Sequence, residues 1–556
     1  MKTVGGVAFH HPGAFWLGAA LVTFGVVAHL PMYLAGRDMG YRLAGMPLDP
    51  LMLAGMAAIV VGIAASFYGL YPRSPGAVAQ AASRIRVRAM DDARISATHV
   101  GLLLAMAVGV TIDIMKPTTL AFVVPGMTVE YGLRSPLNPA GSVPAAYLPL
   151  SGITGTVLGS FLWGWLGDRI GRRASILFAG LTFIGTSICG AMPSYSWNLV
   201  MCFLMGIGVG GMLPIAYALL AETMPARHRG WLMVLIGSDV AGAYIITSWL
   251  AVQLIPEYSW RIMWLLGAPT GVLFILLNRW IPESPRFLLA AGRADEARAV
   301  MARYGATVVE EGPSVPAPEA TVKNQWRQML SPEVRGLTLV VCSLGIAAGL
   351  VLFGFNLWMP SNLRALGFGE ADAILNRAAV IGFPATFVVA WMYGVWSSKK
   401  TVLLLAALTA AALGGFVIGG NDVVRNPTLL YALLVVPIWG INSLVAVLSV
   451  YSAEIYPTRV RSRGTGLAAG ASKAGGVLII ALVALGIAAP SIAGVALIAA
   501  VPLTAALFAT AVYGIETRKR GLEEITAEEF RLSSPPVPLS PSLRSGQALR
   551  ERGDPE

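Results

Sequence analysis

Four ionisable side chains stand inside long apolar runs of this 556-residue sequence: Asp113, Lys116, Asp239 and Lys473. On insertion scales each costs about 2.5 to 3.5 kcal/mol or more at the centre of a bilayer, so each needs a partner or a function. Asp113 and Lys116 are three apart and can share one helix face, with Pro117 removing a backbone donor beside them. A carboxylate buried against a cation has two accessible charge states and suits proton coupling; a permanently charged structural pair is the alternative. Asp239 is either a second protonation site or a hydrogen-bonded structural acid. Lys473, nine residues beyond Gly464, lies about two and a half turns into its run. It suits the anchoring of a substrate carboxylate, unless its stem snorkels to the membrane surface. With Lys116 and Lys473, the polar residues Tyr217, Asn356, Trp358 and Asn442 make up the candidate substrate lining; packing and interhelical hydrogen bonding are their plainer roles.

A second set of residues offers charge chemistry of another kind. Gly164-Trp165-Leu166-Gly167-Asp168-Arg169-Ile170-Gly171-Arg172-Arg173 has the residues of a tight glycine-rich turn carrying one acid and three bases. Its acid can face a neighbouring helix N-terminus while its bases pair with acids such as Glu222. Ala221, Glu222, Pro225, Arg229 and Gly230 recur as Ala453, Glu454, Pro457, Arg461 and, after Arg463, Gly464, the two glutamates being 232 residues apart (454 − 222). The tract at Gly164 recurs in degraded form at Gly394, 230 residues on (394 − 164). Similar offsets at two places imply two duplicated halves, and such repeats put a substrate site near the midplane between them.

The elements that position these residues are membrane spans. With 56% hydrophobic and 12% charged residues and a mean hydropathy of +0.68, the surrounding solvent must be lipid. About fourteen apolar runs are long enough to cross as helices. Two lie near residues 14–36 and 48–71, and twelve more between about 99 and 514. The first is too long for the apolar region of a signal peptide and is expected to be a retained span. His29 within it reads as a packing residue. Most of the 40 Lys and Arg fall on one side of the membrane if the N-terminus is cytoplasmic. The net charge of +11, with Arg73, Arg84, Arg86, Arg88 and Arg94 between the second and third runs, is thereby explained by topology and not by nucleic acid. Cys189, Cys202 and Cys342 lie in apolar runs without metal-ligand spacing, and no metal or cofactor motif occurs.

The expected organisation is therefore all-α. Residues 1–98 supply two extra helices and a basic linker, 99–281 and 336–514 two six-helix halves, 282–335 a central cytoplasmic loop around Pro313, Pro316 and Pro318, and 515–556 a cytoplasmic tail that ends without a core.

The Gly164–Arg173 tract resembles the signature loop of the major facilitator superfamily. Trp260-Arg261, Pro282-Glu283-Ser284-Pro285-Arg286 and Ile515-Glu516-Thr517-Arg518-Lys519-Arg520-Gly521 resemble motifs of its sugar porter branch. That resemblance implies a twelve-helix fold and a cytoplasmic gate in which Gly164, Asp168, Arg169, Gly171, Arg172, Arg173, Glu222, Arg229, Glu454 and Arg461 hold the outward-facing state closed inside. Sugar porters bind sugar through paired glutamines in the seventh span, where this chain reads CSLGIAAGLVLFGFNLWMPSNL. Its FNLWMPSNLRALGF pattern is instead similar to metabolite carriers related to aromatic-acid:proton symporters, organic ion transporters and synaptic vesicle glycoproteins. Those carriers have an acid in the first core span, here Asp113, and a base in the eleventh, here Lys473 where arginine is usual.

The expected function is proton-coupled symport of a small organic acid or related metabolite by a monomer in the plasma membrane. Sugar, polyol or drug transport, or a non-transporting sensor on the same fold, are the alternatives. An enzyme is the least favoured reading, since no span or loop offers a nucleophile and base, a metal cluster or a phosphate-binding glycine loop.

Overall fold

The computed structural model describes residues 2–4, 7–72, 93–210, 212–306, 329–330, 332, 334–420, 422–456, 461–486 and 491–517. Arg73, Arg84, Arg86 and Arg88, the prolines of the central loop, Pro457, the tail from residue 518 and the side chain of Arg461 lie outside the described residues. A short antiparallel hairpin of β1 (Lys2–Val4) and β2 (Val7–Phe9) precedes the helices.

Two extra helices come first, α1 (Pro12–Val27, continued by α2, Leu30–Ala35) and α3 (Pro50–Leu70). Gly18 and Gly25 on α1, and Gly55, Gly62 and Gly69 on α3, recur every seven residues and bring the two backbones into direct contact. A side chain at Gly18 or Gly62 would collide with the facing backbone.

The first half comprises α4 (Ala97–Tyr131), α5 (Tyr147–Ile170), α6 (Arg172–Thr186), α7 (Tyr195–Val209), α8 (Met212–Thr223), α9 (Ala226–Gly237), α10 (Val240–Tyr258), α11 (Ile262–Leu265) and α12 (Gly267–Leu277). Two short helices follow, α13 (Pro285–Ala290) and α14 (Ala294–Arg303). The second half runs α15 (Arg335–Leu350), a π-helical turn Val351–Asn356, α16 (Leu357–Ala365), α17 (Ala371–Gly382), α18 (Pro384–Trp391), a second π turn Met392–Trp396, α19 (Ser398–Gly419), α20 (Asp422–Arg425), α21 (Pro427–Ile455), α22 (Arg461–Ala484) and α23 (Ile492–Tyr513).

Among the described residues, 12 helices are long and apolar enough to cross a membrane. Two more complete the fourteen. α5 is 24 residues long but diluted by glycine, serine and threonine, and the fourth core span is divided at Gly210 into α7 and α8. The same glycines explain how α5 packs. Gly155 and Gly159 lie against the backbone of Phe203 and Ile207 on α7, and Gly206 against that of Gly152, so two helices share an interface with almost no side chain between them.

The two halves meet along a seam that is packed at both ends. On the face bearing Asp168, here the charged face, Gly230 faces Glu454 Oε1 and Gly394 faces Trp231. Towards the opposite face, Asn376 on α17 donates to Ile245 O (2.9 Å) and Ser248 Oγ (3.0 Å) on α10, and Arg134 donates to Ala484 O (3.4 Å).

The extra helices dock on the first half. Ile59, Ile63 and Val22 face Gly185 on α6, and Phe67 packs on Phe178 with ring centroids 5.9 Å apart. Their connecting loop is held by Glu130, whose Oε1 accepts from Leu43 N (2.9 Å) and Ala44 N (3.0 Å) and pairs with Arg261 (2.6 Å). Arg261 also donates to Met192 O, Gly190 O and the Tyr131 hydroxyl, so the buried guanidinium of this ion pair is held by four oxygen acceptors.

Candidate functional site

Proline decides the local geometry of the first span in each half. Pro117 has no N–H, so the carbonyl of Asp113 four residues earlier receives no helical hydrogen bond; Pro360 does the same to the carbonyl of Asn356. At Asn356 the preceding π turn shifts the helix face as well. Both side chains are buried. Asp113 Oδ1 and both amide atoms of Asn356 have no hydrogen-bond partner among the described residues. Buried polar atoms cost free energy when left unpaired, so a cluster of them along a seam is a place for a ligand to supply the missing bonds.

Lys473 brings the second half to the first. Its Nζ reaches across the seam to α5, donating to Ser160 Oγ and to Thr156 O (3.4 Å); no ion pair joins it to Asp113 among the described residues. Asp239 interrupts the fifth span between α9 and α10 and accepts from Thr111, two residues before Asp113. Asn442 on α21 donates to Ile438 O (2.7 Å), and its Oδ1 is buried without a partner. Tyr217 directs its hydroxyl at Gly237, beside Ala446 of the other half; a side chain at Gly237 would overlap it. Trp358 is buried with Nε1 unpartnered, two residues from Asn356 and so on a different side of the helix.

Lys116 lies elsewhere. Its Nζ lies 5.7 Å from the centroid of Phe183 and fills the space a side chain on Gly267 would need. It thus points into the first half between α4, α6 and α12, and no ion pair joins it to Asp113 among the described residues.

At the charged face the tract from Gly164 is mostly helix, where a glycine-rich turn was expected. Gly164 and Gly167 lie within α5, and the turn is made at Gly171, whose φ of +94° only glycine adopts without strain. Asp168 is exposed and pairs with Arg172 (2.8 Å), rather than facing a helix N-terminus. Arg172 also bonds Gly167 O (2.6 Å) and comes within 3.7 Å of Glu222. Arg169 stacks on Trp165, Arg173 donates to Asn278 Oδ1 (3.1 Å), and Arg229 donates to Met224 O (2.9 Å).

The carboxylate at the helix N-terminus belongs to Glu283. It accepts from Arg172 N (2.8 Å) and Arg173 N (3.2 Å) at the start of α6. Burial pushes the Glu283 carboxyl above its ordinary range, against the opposing pull of the Ser284 and Arg172 N–H groups and the Arg172 charge. Glu516 does the same in the second half, accepting from Ser398 N (2.9 Å) and Ser398 Oγ (2.6 Å) at the start of α19, and from Ser397. Glu454 accepts from the hydroxyls of Tyr393 and Thr517, each at 2.6 Å. The legible signal for this pair was the offset of 233 between Glu283 and Glu516 (516 − 283), beside 232 for Glu222 and Glu454. Ser160 and Thr156 carried no signal, because small hydroxyl residues in a glycine-rich span read as packing.

Residues 148–528 match the family described as "Sugar (and other) transporter". The chain is 26% identical over 405 residues to the niacin transporter NiaP of Acinetobacter baylyi, covering 70% of this chain and 88% of that one. It is 27% identical over 415 residues to the 4-hydroxybenzoate transporter PcaK of the same organism (70% and 85%), and 26% identical over 456 residues to the synaptic vesicle 2-related protein of Bos taurus (75% and 78%). Among solved structures it is similar to the proton:xylose symporter XylE of the major facilitator superfamily, with a TM-score of 0.59 at 18% identity over 77% of this chain and 98% of that one, a likeness of fold.

Proposed function

The chain belongs to the sugar (and other) transporter family and is a multi-pass membrane transporter, and from that premise we propose that it is a proton-coupled symporter of a small organic acid, most specifically an aromatic carboxylate. The carrying observation is that Lys473 reaches across the seam to Ser160 and Thr156 of the opposite half, where Asp113 stands buried with an oxygen that no described residue bonds. A substrate carboxylate docks on Lys473 in place of those two oxygens. With Lys473 neutralised by the anion, Asp113 loses the support of its cation and takes up a proton. Empty and fully loaded sites are then both electroneutral, whereas a half-loaded site carries a net charge in a low-dielectric seam and does not cross. Asn356, Asn442, Tyr217 and Trp358 supply the remaining polar contacts, and Asp239 the second acid.

Two relatives named for aromatic carboxylates, niacin and 4-hydroxybenzoate, support this substrate class, as does a seventh span without glutamine. We assign the charged face and both termini to the cytoplasm because most lysines and arginines fall there. The nets around Arg172 and Glu454 act as the gate on that side, biasing the balance between two conformations without touching substrate. The protein works as a monomer in the plasma membrane.

A ligand-induced thermal-shift screen tests the substrate class, because a ligand that binds the folded state raises apparent stability. Nicotinate or 4-hydroxybenzoate should stabilise the purified chain, with the shift lost in Lys473→Ala. A response to xylose alone would contradict the proposal.

A further inference from the structure

Beside the gate the structure holds a second charged site. A groove lies between the start of α6, the end of α12 and the short helix α14, lined by Arg173, Arg279, Arg303, Glu283, Glu296 and Val300 among others. Three guanidiniums meet two carboxylates there, and both carboxylates are committed. Glu283 takes the N–H groups of Arg172, Arg173 and Ser284, and Glu296 is held by two bonds from Arg293 (2.8 and 2.7 Å). Arg173 lies in the field of Glu283 and, against it, of Arg303 and Arg293. Arg279 rests on the ring of Trp280 at 4.9 Å, and neither it nor Arg303 has a carboxylate partner among the described residues. Clustered cations of this kind lack a counter-anion, and guanidinium groups match the oxygens of a phosphate.

The neighbourhood says which anion. Val272, Leu273 and Leu276 on α12 are exposed apolar residues, and Val272 and Leu276 lead by helical steps of four and three to Arg279. Trp280, 49% exposed, stands where interfacial tryptophans stand. Acyl chains along α12 would deliver a headgroup phosphate directly to Arg279.

We propose that this groove binds the phosphate of an anionic phospholipid from the leaflet on the charged face, with Arg279 and Arg303 as its principal cations and the acyl chains lying on Val272 and Leu276. Because Arg173 and Glu283 line the same groove, the bound lipid adjoins the first turn of α6 and thus the gate.

The test uses the full chain in nanodiscs of phosphatidylcholine alone or mixed with phosphatidylglycerol, read by lipid retained on native mass spectrometry and by thermal unfolding. Retained phosphatidylglycerol and a raised unfolding temperature are expected for the natural protein. In Arg279→Gln/Arg303→Gln the affinity for phosphatidylglycerol should fall about ten- to thirtyfold, each basic residue contributing roughly a three- to fivefold share. Arg279→Lys/Arg303→Lys should retain most of it. Unchanged unfolding of the glutamine variant in pure phosphatidylcholine shows that it folds. The same stabilisation by inorganic phosphate in pure phosphatidylcholine, lost in the glutamine variant, would overturn the lipid as the source of the phosphate. Equal phosphatidylglycerol retention by natural and glutamine proteins would overturn the site.

Discussion

Asp113 and Asn356 hold matching places in the first spans of the two halves, each followed four residues later by a proline, so that each lies beside a helical carbonyl with no N–H to accept from. Two buried polar side chains are thereby set against two open backbone acceptors, and the amide of Asn356 has no partner among the described residues. Replacing Asn356 by Leu removes an orphaned polar group of similar size. Substrate affinity should fall about tenfold while thermal stability holds or rises, the reverse of an ordinary packing defect. Isothermal binding and thermal unfolding of the same preparation check both halves of this expectation.

Asp168 is exposed and, among the described residues, bonds across the Gly171 turn to Arg172 at the start of α6. Asp168→Asn should therefore slow transport strongly while leaving substrate affinity within a few fold, since conformational balance and not the lining is altered. Uptake rate against equilibrium binding separates the two. A loss of binding with normal cycling would return Asp168 to the substrate site.

Glu130 and Arg261 form an enclosed pair at 2.6 Å that also holds the backbone of Leu43 and Ala44. Glu130→Ala leaves a buried guanidinium unpaired and two N–H groups without an acceptor. A loss of about 3 to 5 kcal/mol is expected, read as a fall in unfolding temperature. Hydrogen exchange should quicken around Leu43 and Ala44 before it does in α6.

Sidedness is tested by cysteine labelling. With Cys189, Cys202 and Cys342 replaced, Ala140→Cys should react with an impermeant probe added outside and Ala302→Cys should not; the opposite pattern would invert the assignment.

Much of the fold was legible because its causes are local. Apolar length marks a span, basic residues mark a side, and the Glu222/Glu454 repeat marks two halves. α5 was legible as a run although its glycines and hydroxyls dilute it, since those residues serve helix contact. The site was legible as residue types and not as partnerships. Lys116 follows Asp113 by three residues, yet its stem turns towards Phe183 and Gly267, and the lysine that crosses the seam, Lys473, comes from the other half. Spacing along one helix cannot report a contact such as that of Lys473 with Ser160, made between helices 313 residues apart in sequence (473 − 160). For the same reason the helix N-terminus offered to Asp168 is taken by Glu283, and its counterpart by Glu516.

The central claim is that Asp113 carries the coupling proton while Lys473 holds the substrate anion. The direct measurement is uphill uptake of labelled nicotinate or 4-hydroxybenzoate into liposomes under an imposed pH gradient, natural protein against Asp113→Asn, with exchange of internal for external substrate measured in the same vesicles. Proton-driven accumulation should be abolished in Asp113→Asn while exchange survives, because exchange need not release the proton. Undiminished uphill uptake by Asp113→Asn would contradict the account.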